Sequence, residues 1–119
     1  ENRFVGNDCG IDVTGDHVST KVSLNLFEKN RASGMRVRLN AMFDLTENLF
    51  RGNLKIGLLL TGNFAGAIKR NEFCGDAIGV SVDGGSEGAL VGNTFEDCNV
   101  GVQIMPTGNP MIRGCMFYT

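Results

Sequence analysis

Few side chains in this 119-residue sequence have types and spacings that could do chemistry. His17 is the only histidine and sits in a turn-like stretch, Gly15-Asp16-His17. A lone imidazole could serve as a base or a metal ligand, but with no second histidine or methionine cluster beside it the plain expectation is an exposed turn residue. The run Asp83-Gly84-Gly85-Ser86-Glu87-Gly88 is rich in glycine and carboxylates. Neither a lysine nor a helix follows it, which removes a phosphate cradle. Asp83 and Glu87 leave calcium as the one cofactor the residues admit. Asp12 and Arg36 are opposite charges one repeat apart, and Lys69-Arg70 with Arg113 form a small basic patch. Cys9, Cys74, Cys98 and Cys115 make no Cys-x-x-Cys pair. They are expected to be free, mostly buried thiols acting as small apolar fillers, with no disulfide framework and no zinc site.

What must position these groups is a repeat. The triplet Asn-x-Phe occurs at Asn2–Phe4, Asn25–Phe27, Asn48–Phe50, Asn71–Phe73 and Asn93–Phe95, and a degraded copy, Cys115-Met116-Phe117, follows. The intervals are 23, 23, 23, 22 and 22 residues. A constant period over a whole chain marks a solenoid. Eight or nine residues after each Asn comes Gly10, Gly34, Gly57, Gly79 or Gly101. Each leads an alternating run, as in Ile11-Asp12-Val13, Met35-Arg36-Val37 and Val80-Ser81-Val82. Period-two alternation predicts strands with one buried face, and the residue before each Gly is expected to continue the buried register. Turns follow at Thr14-Gly15-Asp16, Arg38-Leu39-Asn40, Thr61-Gly62-Asn63, Asp83-Gly84-Gly85 and Thr107-Gly108-Asn109. A second aliphatic position recurs three residues before each Asn, at Val22, Leu45, Ile68, Leu90 and Ile112.

Like side chains recur at one full period and do not mirror about a turn, which rules out hairpins. Each repeat therefore makes one coil whose short strands pair in parallel with those one coil away, about 4.8 Å distant. The expected fold is an all-β, single-stranded parallel β-helix in one domain, 1–119, with about five coils of 22–23 residues and three short strands per coil. Phe4, Phe27, Phe50, Phe73, Phe95 and Phe117 should form an internal stack. Asn2, Asn25, Asn48, Asn71 and Asn93 should form a ladder along the rod, ended by Cys115, because a carboxamide can both donate and accept between coils. Asn also tolerates a left-handed bend. Replacing Asn71 should therefore cost more than replacing an exposed Asn such as Asn63.

The motif Asn-x-Phe, about eight residues, then Gly-apolar-x-apolar resembles the right-handed β-helix repeats of the pectate-lyase-like superfamily. It is most similar to the short repeats of carbohydrate-binding and sugar-hydrolase domains, which also occur in mannuronan epimerases, a periplasmic copper-loading family and an F-box ubiquitin-ligase subunit. The resemblance implies a right-handed coil and a periplasmic or extracellular location. It also implies a site on the outer face of the Gly-led strands, where this chain carries Asp12, Arg36, Leu59, Ser81 and Gln103. Asp12, Arg36, Ser81 and Gln103 are the candidate ligand-binding residues, with the Asp12 carboxylate and Arg36 guanidinium gripping a sugar or neutralising each other. Leu24 and Leu49, if outward, could add a protein-contact surface.

Paired-Asp, Gly-His-Gly and Asp-Pro-His-Glu motifs of the enzymes sharing this fold are absent, and every loop is short. The expectation is a non-catalytic module presenting a sheet face to a polysaccharide or a protein, with no resident metal. The alternatives are part of a polysaccharide lyase, hydrolase or epimerase with its catalytic coils elsewhere, or a structural spacer. The formal charge of −2 gives no electrostatic reason for a nucleic-acid or anionic-membrane partner, and no apolar run nears the roughly 20 residues of a membrane span. The sequence starts and stops within repeats, which predicts a longer solenoid or end-to-end association.

Overall fold

The computed structural model describes residues 2–14, 18–38, 41–62, 64–83 and 88–119. The turn segments holding His17, Leu39-Asn40, Asn63 and Glu87 lie outside the described residues. Among the described residues every regular element is a strand, and every pairing is parallel, between coils one period apart. The first sheet holds β1 (Arg3–Val5), β4 (Leu26–Glu28), β7 (Leu49–Arg51), β10 (Glu72–Cys74), β13 (Thr94–Glu96) and β16 (Met116–Tyr118). The second, of Gly-led strands, holds β2 (Cys9–Val13), β5 (Ser33–Arg38), β8 (Ile56–Thr61), β11 (Ile78–Val82) and β14 (Val100–Ile104). The third holds β3 (Val18–Ser23), β6 (Ala41–Thr46), β9 (Ala65–Lys69), β12 (Ala89–Val91) and β15 (Met111–Arg113). The chain visits the three sheets in turn, so the architecture is the expected β-solenoid, three strands to a coil. Crossovers between parallel strands of one twisted sheet take a right-handed sense.

Like lies on like inside. The Phe rings stack with centroids 4.7–5.1 Å apart and planes within 12°, the inter-coil spacing of a sheet. Each stacked pair adds about 0.5–1.5 kcal/mol beyond burial. Met35, Leu58 and Val80 form one fully buried column, Val37, Leu60 and Val82 a second, and Leu45, Ile68 and Leu90 a third. Phe43 and Phe64 fill the remaining space beside the third sheet, tilted 56° to each other. The period did not assign those two rings.

The glycine of each Gly-led strand explains the register. Gly34, Gly57 and Gly79 are buried, and a Cβ on any of them would meet the Phe ring of the following coil: Phe50 at 2.9 Å, Phe73 at 3.0 Å and Phe95 at 2.6 Å. Their φ angles are ordinary, so glycine is there for space and not for backbone freedom. Strand pairing skips the glycine, running from Cys9↔Ser33 to Ile11↔Met35. The glycine thus takes an inward place, and the expectation that the preceding residue continues the buried register holds for Ser33, at 5% exposure, but is corrected for the others. Ile56 and Ile78 are half-buried and Val100 is 41% exposed.

The Asn ladder forms as expected. Asn71 accepts at Oδ1 from the Asn48 backbone N–H (2.8 Å) and Nδ2 (3.0 Å), and its own Nδ2 donates to the Leu45 carbonyl (2.9 Å) and Asn93 Oδ1 (3.1 Å). Asn93 Nδ2 points to Cys115 Sγ at 3.9 Å, and Cys115 in turn donates to the Leu90 carbonyl, so the thiol closes the series. The left-handed residue is not the Asn but the one before it: Leu24, Glu47, Arg70, Gly92 and Gly114 have φ of 53–64°.

Asn71→Ala removes four cross-coil hydrogen bonds and leaves buried backbone groups unpartnered, at about 1–3 kcal/mol each. Its urea midpoint should fall well below wild type, whereas exposed Asn109→Ala should stay within about 0.5 kcal/mol; coincident midpoints would refute the ladder's role. Gly79→Ala should destabilise by about 1–3 kcal/mol through overpacking against Phe95. A gain of about 0.4–1 kcal/mol, the usual backbone-entropy effect of Gly→Ala, would show that the ring does not need the space.

Candidate functional site

The second sheet places Asp12, Arg36, Leu59, Ser81 and Gln103 in one row by register: Asp12↔Arg36, Arg36↔Leu59, Leu59↔Ser81 and Ser81↔Gln103. Alternation along the strands turns these five outward while their neighbours fill the core. The row is uneven: Asp12 and Gln103 are exposed, Arg36 and Leu59 are half-buried, and Ser81 is only 5% exposed. At one end a charged cluster stands out. Arg36 and Arg38 both donate through Nη2 to the same oxygen, Oδ2 of Asp12, the latter at 2.6 Å. These hydrogen bonds, from Arg36 first and Arg38 second, hold the Asp12 carboxyl below its ordinary range, against the desolvation that raises it. The Arg36 guanidinium is held above its ordinary value chiefly by the same bond. Among the described residues two guanidiniums meet one carboxylate, a single positive charge in excess. Both Nε–H groups are screened from water and have no hydrogen-bond partner.

Arg38 was not among the residues expected at the site, because Arg38-Leu39-Asn40 reads as a turn. Instead β5 runs through Arg38, which faces the same way as Arg36 two residues earlier. The signal lay in extending the alternation by one step.

The other candidates lie elsewhere. Lys69 and Arg113 flank Val91 on adjacent strands of the third sheet, and Arg70 pairs with Glu47 at 3.2 Å. Leu24 is 54% exposed. With Leu26 and Leu49 it lines a groove of about 710 Å³ over the bend from the third sheet to the first, walled by Arg3, Glu47 and Arg70. On the first sheet Arg3 and Arg51 flank Glu28 at 3.8 Å and 2.8 Å. Asp83 is exposed, while Glu87 and His17 lie outside the described residues.

The cysteines are free but only half-buried; Cys98 and Cys115 pack against the apolar core as expected of small fillers, and three of the four also donate hydrogen bonds. Cys9 donates to the Ile11 carbonyl, and Cys98 donates to the Phe73 carbonyl. Burial pushes the Cys98 thiol up to about 11 and raises those of Cys9 and Cys74. Among the described residues no three His, Cys, Asp or Glu side chains come together to hold a metal ion, and no helix is long and apolar enough to cross a membrane.

Sequence reasoning also missed a second ladder, at the bend from the first sheet to the second. Asn7 N–H donates to Asn30 Oδ1 (3.0 Å), Asn30 N–H and Nδ2 to Asn53 Oδ1 (3.1 and 2.9 Å), and Asn53 N–H and Nδ2 to Asp76 Oδ1 (both 2.8 Å). Cys98 occupies the next position. Again the preceding residues, Gly6, Lys29, Gly52, Gly75 and Asp97, are left-handed with φ of 53–71°.

The shared carboxylate oxygen sets a pH expectation. A lowered carboxyl contributes stability above the ordinary carboxylate value, and that contribution is lost as pH falls through the lowered one. NMR titration of the Asp12 carboxyl carbon should give a midpoint below about 3.9, moving up in Arg36→Ala. A midpoint at the ordinary value in wild type would mean the triad is not held in solution.

No curated protein and no solved structure matches the chain. The family model described as periplasmic copper-binding protein (NosD) matches residues 1–114. That span takes in all five Asn-x-Phe triplets, the Gly-led strands and every ladder residue but Cys115, and by it the chain belongs to the NosD family of periplasmic copper-binding proteins.

Proposed function

We propose that the protein is a non-catalytic β-helix binding module, periplasmic or extracellular, that holds an extended anionic polysaccharide along the outer face of its Gly-led sheet. The observation that carries this reading is the convergence of Arg36 and Arg38 on one oxygen of Asp12. Among the described residues it leaves a net positive centre on two arginine side chains that are 36% and 42% exposed. Guanidinium forks match a carboxylate in two hydrogen bonds, so the ligand chemistry is a uronate, and the exposed amide of Gln103 would meet hydroxyls further along the row. A chain laid parallel to the rod passes one outward side chain about every 4.8 Å.

A second reading has its own support in the groove at the other bend. Leu24, Leu26 and Leu49 between Arg3 and the Glu47–Arg70 pair suit an extended protein segment with apolar anchors.

Copper, named in the family's description, does not fit the described residues of this chain. They bring no three His, Cys, Asp or Glu side chains together. Cys98 and Cys115 use their thiols on backbone carbonyls, and a soft sulfur site needs the thiolate.

Affinity electrophoresis in gels containing polygalacturonate or alginate tests the first reading. Wild type should be retarded, less so as salt rises, and not at all in gels containing neutral dextran. Arg36→Ala with Arg38→Ala should weaken retardation at least tenfold. Equal retardation by dextran, or an unaffected double variant, would overturn it.

A further inference from the structure

Asp76 is the one carboxylate fully buried among the described residues, at 1% exposure. It stands where the second ladder otherwise has asparagine. Its Oδ1 does what an Asn Oδ1 does, accepting both the N–H and the Nδ2 of Asn53. Its Oδ2 is shielded from water and has no partner. The ladder shows which group belongs opposite that oxygen. Asn30 Nδ2 donates to the Phe4 carbonyl and Asn53 Nδ2 to the Phe27 carbonyl, each 26 residues back and 3.0 Å away. Cys98 Sγ donates to the Phe73 carbonyl, 25 residues back. The member missing from this series is the Phe50 carbonyl, and a carboxylate has no hydrogen to give it.

No cation pairs with Asp76 among the described residues. The titratable groups facing this bend are the thiols of Cys98 and Cys74, with Glu96, Asp97 and Arg51 around Cys74. On the strand beside it Gly57 presents no side chain, and a Cβ there would lie 3.0 Å from Oδ2. Burial pushes the Asp76 carboxyl up to about 6, against the two hydrogen bonds from Asn53.

We propose that Asp76 occupies the ladder as the un-ionised acid, its Oδ2–H donating to the Phe50 carbonyl in place of an amide, and that loss of this proton makes the bend after β10 a pH-sensitive weak point of the rod. Ionisation removes a donor from one cross-coil bond and places a bare charge between coils held by neutral groups. The folded value lies above the unfolded one. The stabilisation is therefore complete below about 3.8, where both states carry the proton, and is lost as pH rises towards about 6, after which it stays lost.

Asp76→Asn, which restores the ladder's own side chain at every pH, supplies the comparison. Urea unfolding of both proteins should show the ratio of their unfolding constants growing about a hundredfold in favour of the variant between about pH 4 and pH 7. Taking the difference cancels the surface carboxylates, Asp12 among them. Independently, the infrared spectrum of folded wild type at pH 5 should contain the carbonyl stretch of an un-ionised, hydrogen-bonded carboxylic acid, absent in Asp76→Asn and bleached in wild type at pH 8. A pH-independent stability difference, a missing acid band at pH 5, or a variant that does not fold would each overturn the proposal.

Discussion

The rod depends on the carboxamide that bridges three coils at each bend. A β-solenoid must turn its chain sharply between sheets, and the turn breaks the regular ladder of backbone hydrogen bonds. At both ladder bends the chain passes through a left-handed residue, and five of the ten are not glycine: Leu24, Lys29, Glu47, Arg70 and Asp97. A left-handed L-residue costs about 1–2 kcal/mol and persists only where its surroundings over-determine it. The next side chain does that. Its oxygen takes the amide N–H of the coil before, and its nitrogen gives to that coil's carbonyl and to the oxygen of the coil after. The bend is thus held from outside itself, by its counterparts, and the side chain at the residue before it is free to vary.

The same dependence of each coil on the next shapes the core. The Phe ring of one coil occupies the volume that a side chain on the glycine of the coil before would need, so the two positions are one steric unit split across the repeat. That is why glycine with an ordinary φ recurs at Gly34, Gly57 and Gly79, and why the period of Phe and the period of Gly run together. The near-parallel stacking of the rings, with centroids 4.7–5.1 Å apart, follows the sheet spacing and falls within the favourable range of aromatic pairs.

This explains how much was legible in the residues. Asn-x-Phe and Gly-apolar-x-apolar stood out because each position has one solution and repeats it, which gave the coil, the three sheets, the first ladder and the outward row from Asp12 to Gln103. The second ladder obeys the same geometry but escaped notice. Its positions read Asn7, Asn30, Asn53, Asp76 and Cys98, each three residues after a Phe, but three chemistries able to satisfy one carbonyl or one N–H fill them, so no single residue type repeats through all five to flag them. The inward place of each glycine was hidden because alternation assumes a regular strand, and Arg38 was hidden because β5 extends past the point where its sister strands β2, β11 and β14 stop. Pattern shows what repeats; these features are the departures from repetition.

A site on a solenoid must be such a departure. Residues that define the coil are shared by every coil and can mark no single place along it, so recognition has to rest on side chains that break the column they stand in. The outward row changes from carboxylate to guanidinium to leucine to serine to amide over five positions, and only the first two carry charge. The inner ladders break in three places, at Asp76, Cys98 and Cys115. The two thiols still donate to the carbonyl that an amide would have served, so they preserve the function of the position they replace. Asp76 preserves it only while it keeps a proton. Of the interior substitutions it alone couples the packing of the rod to the solution outside, and it does so without touching the outward face on which a ligand would lie.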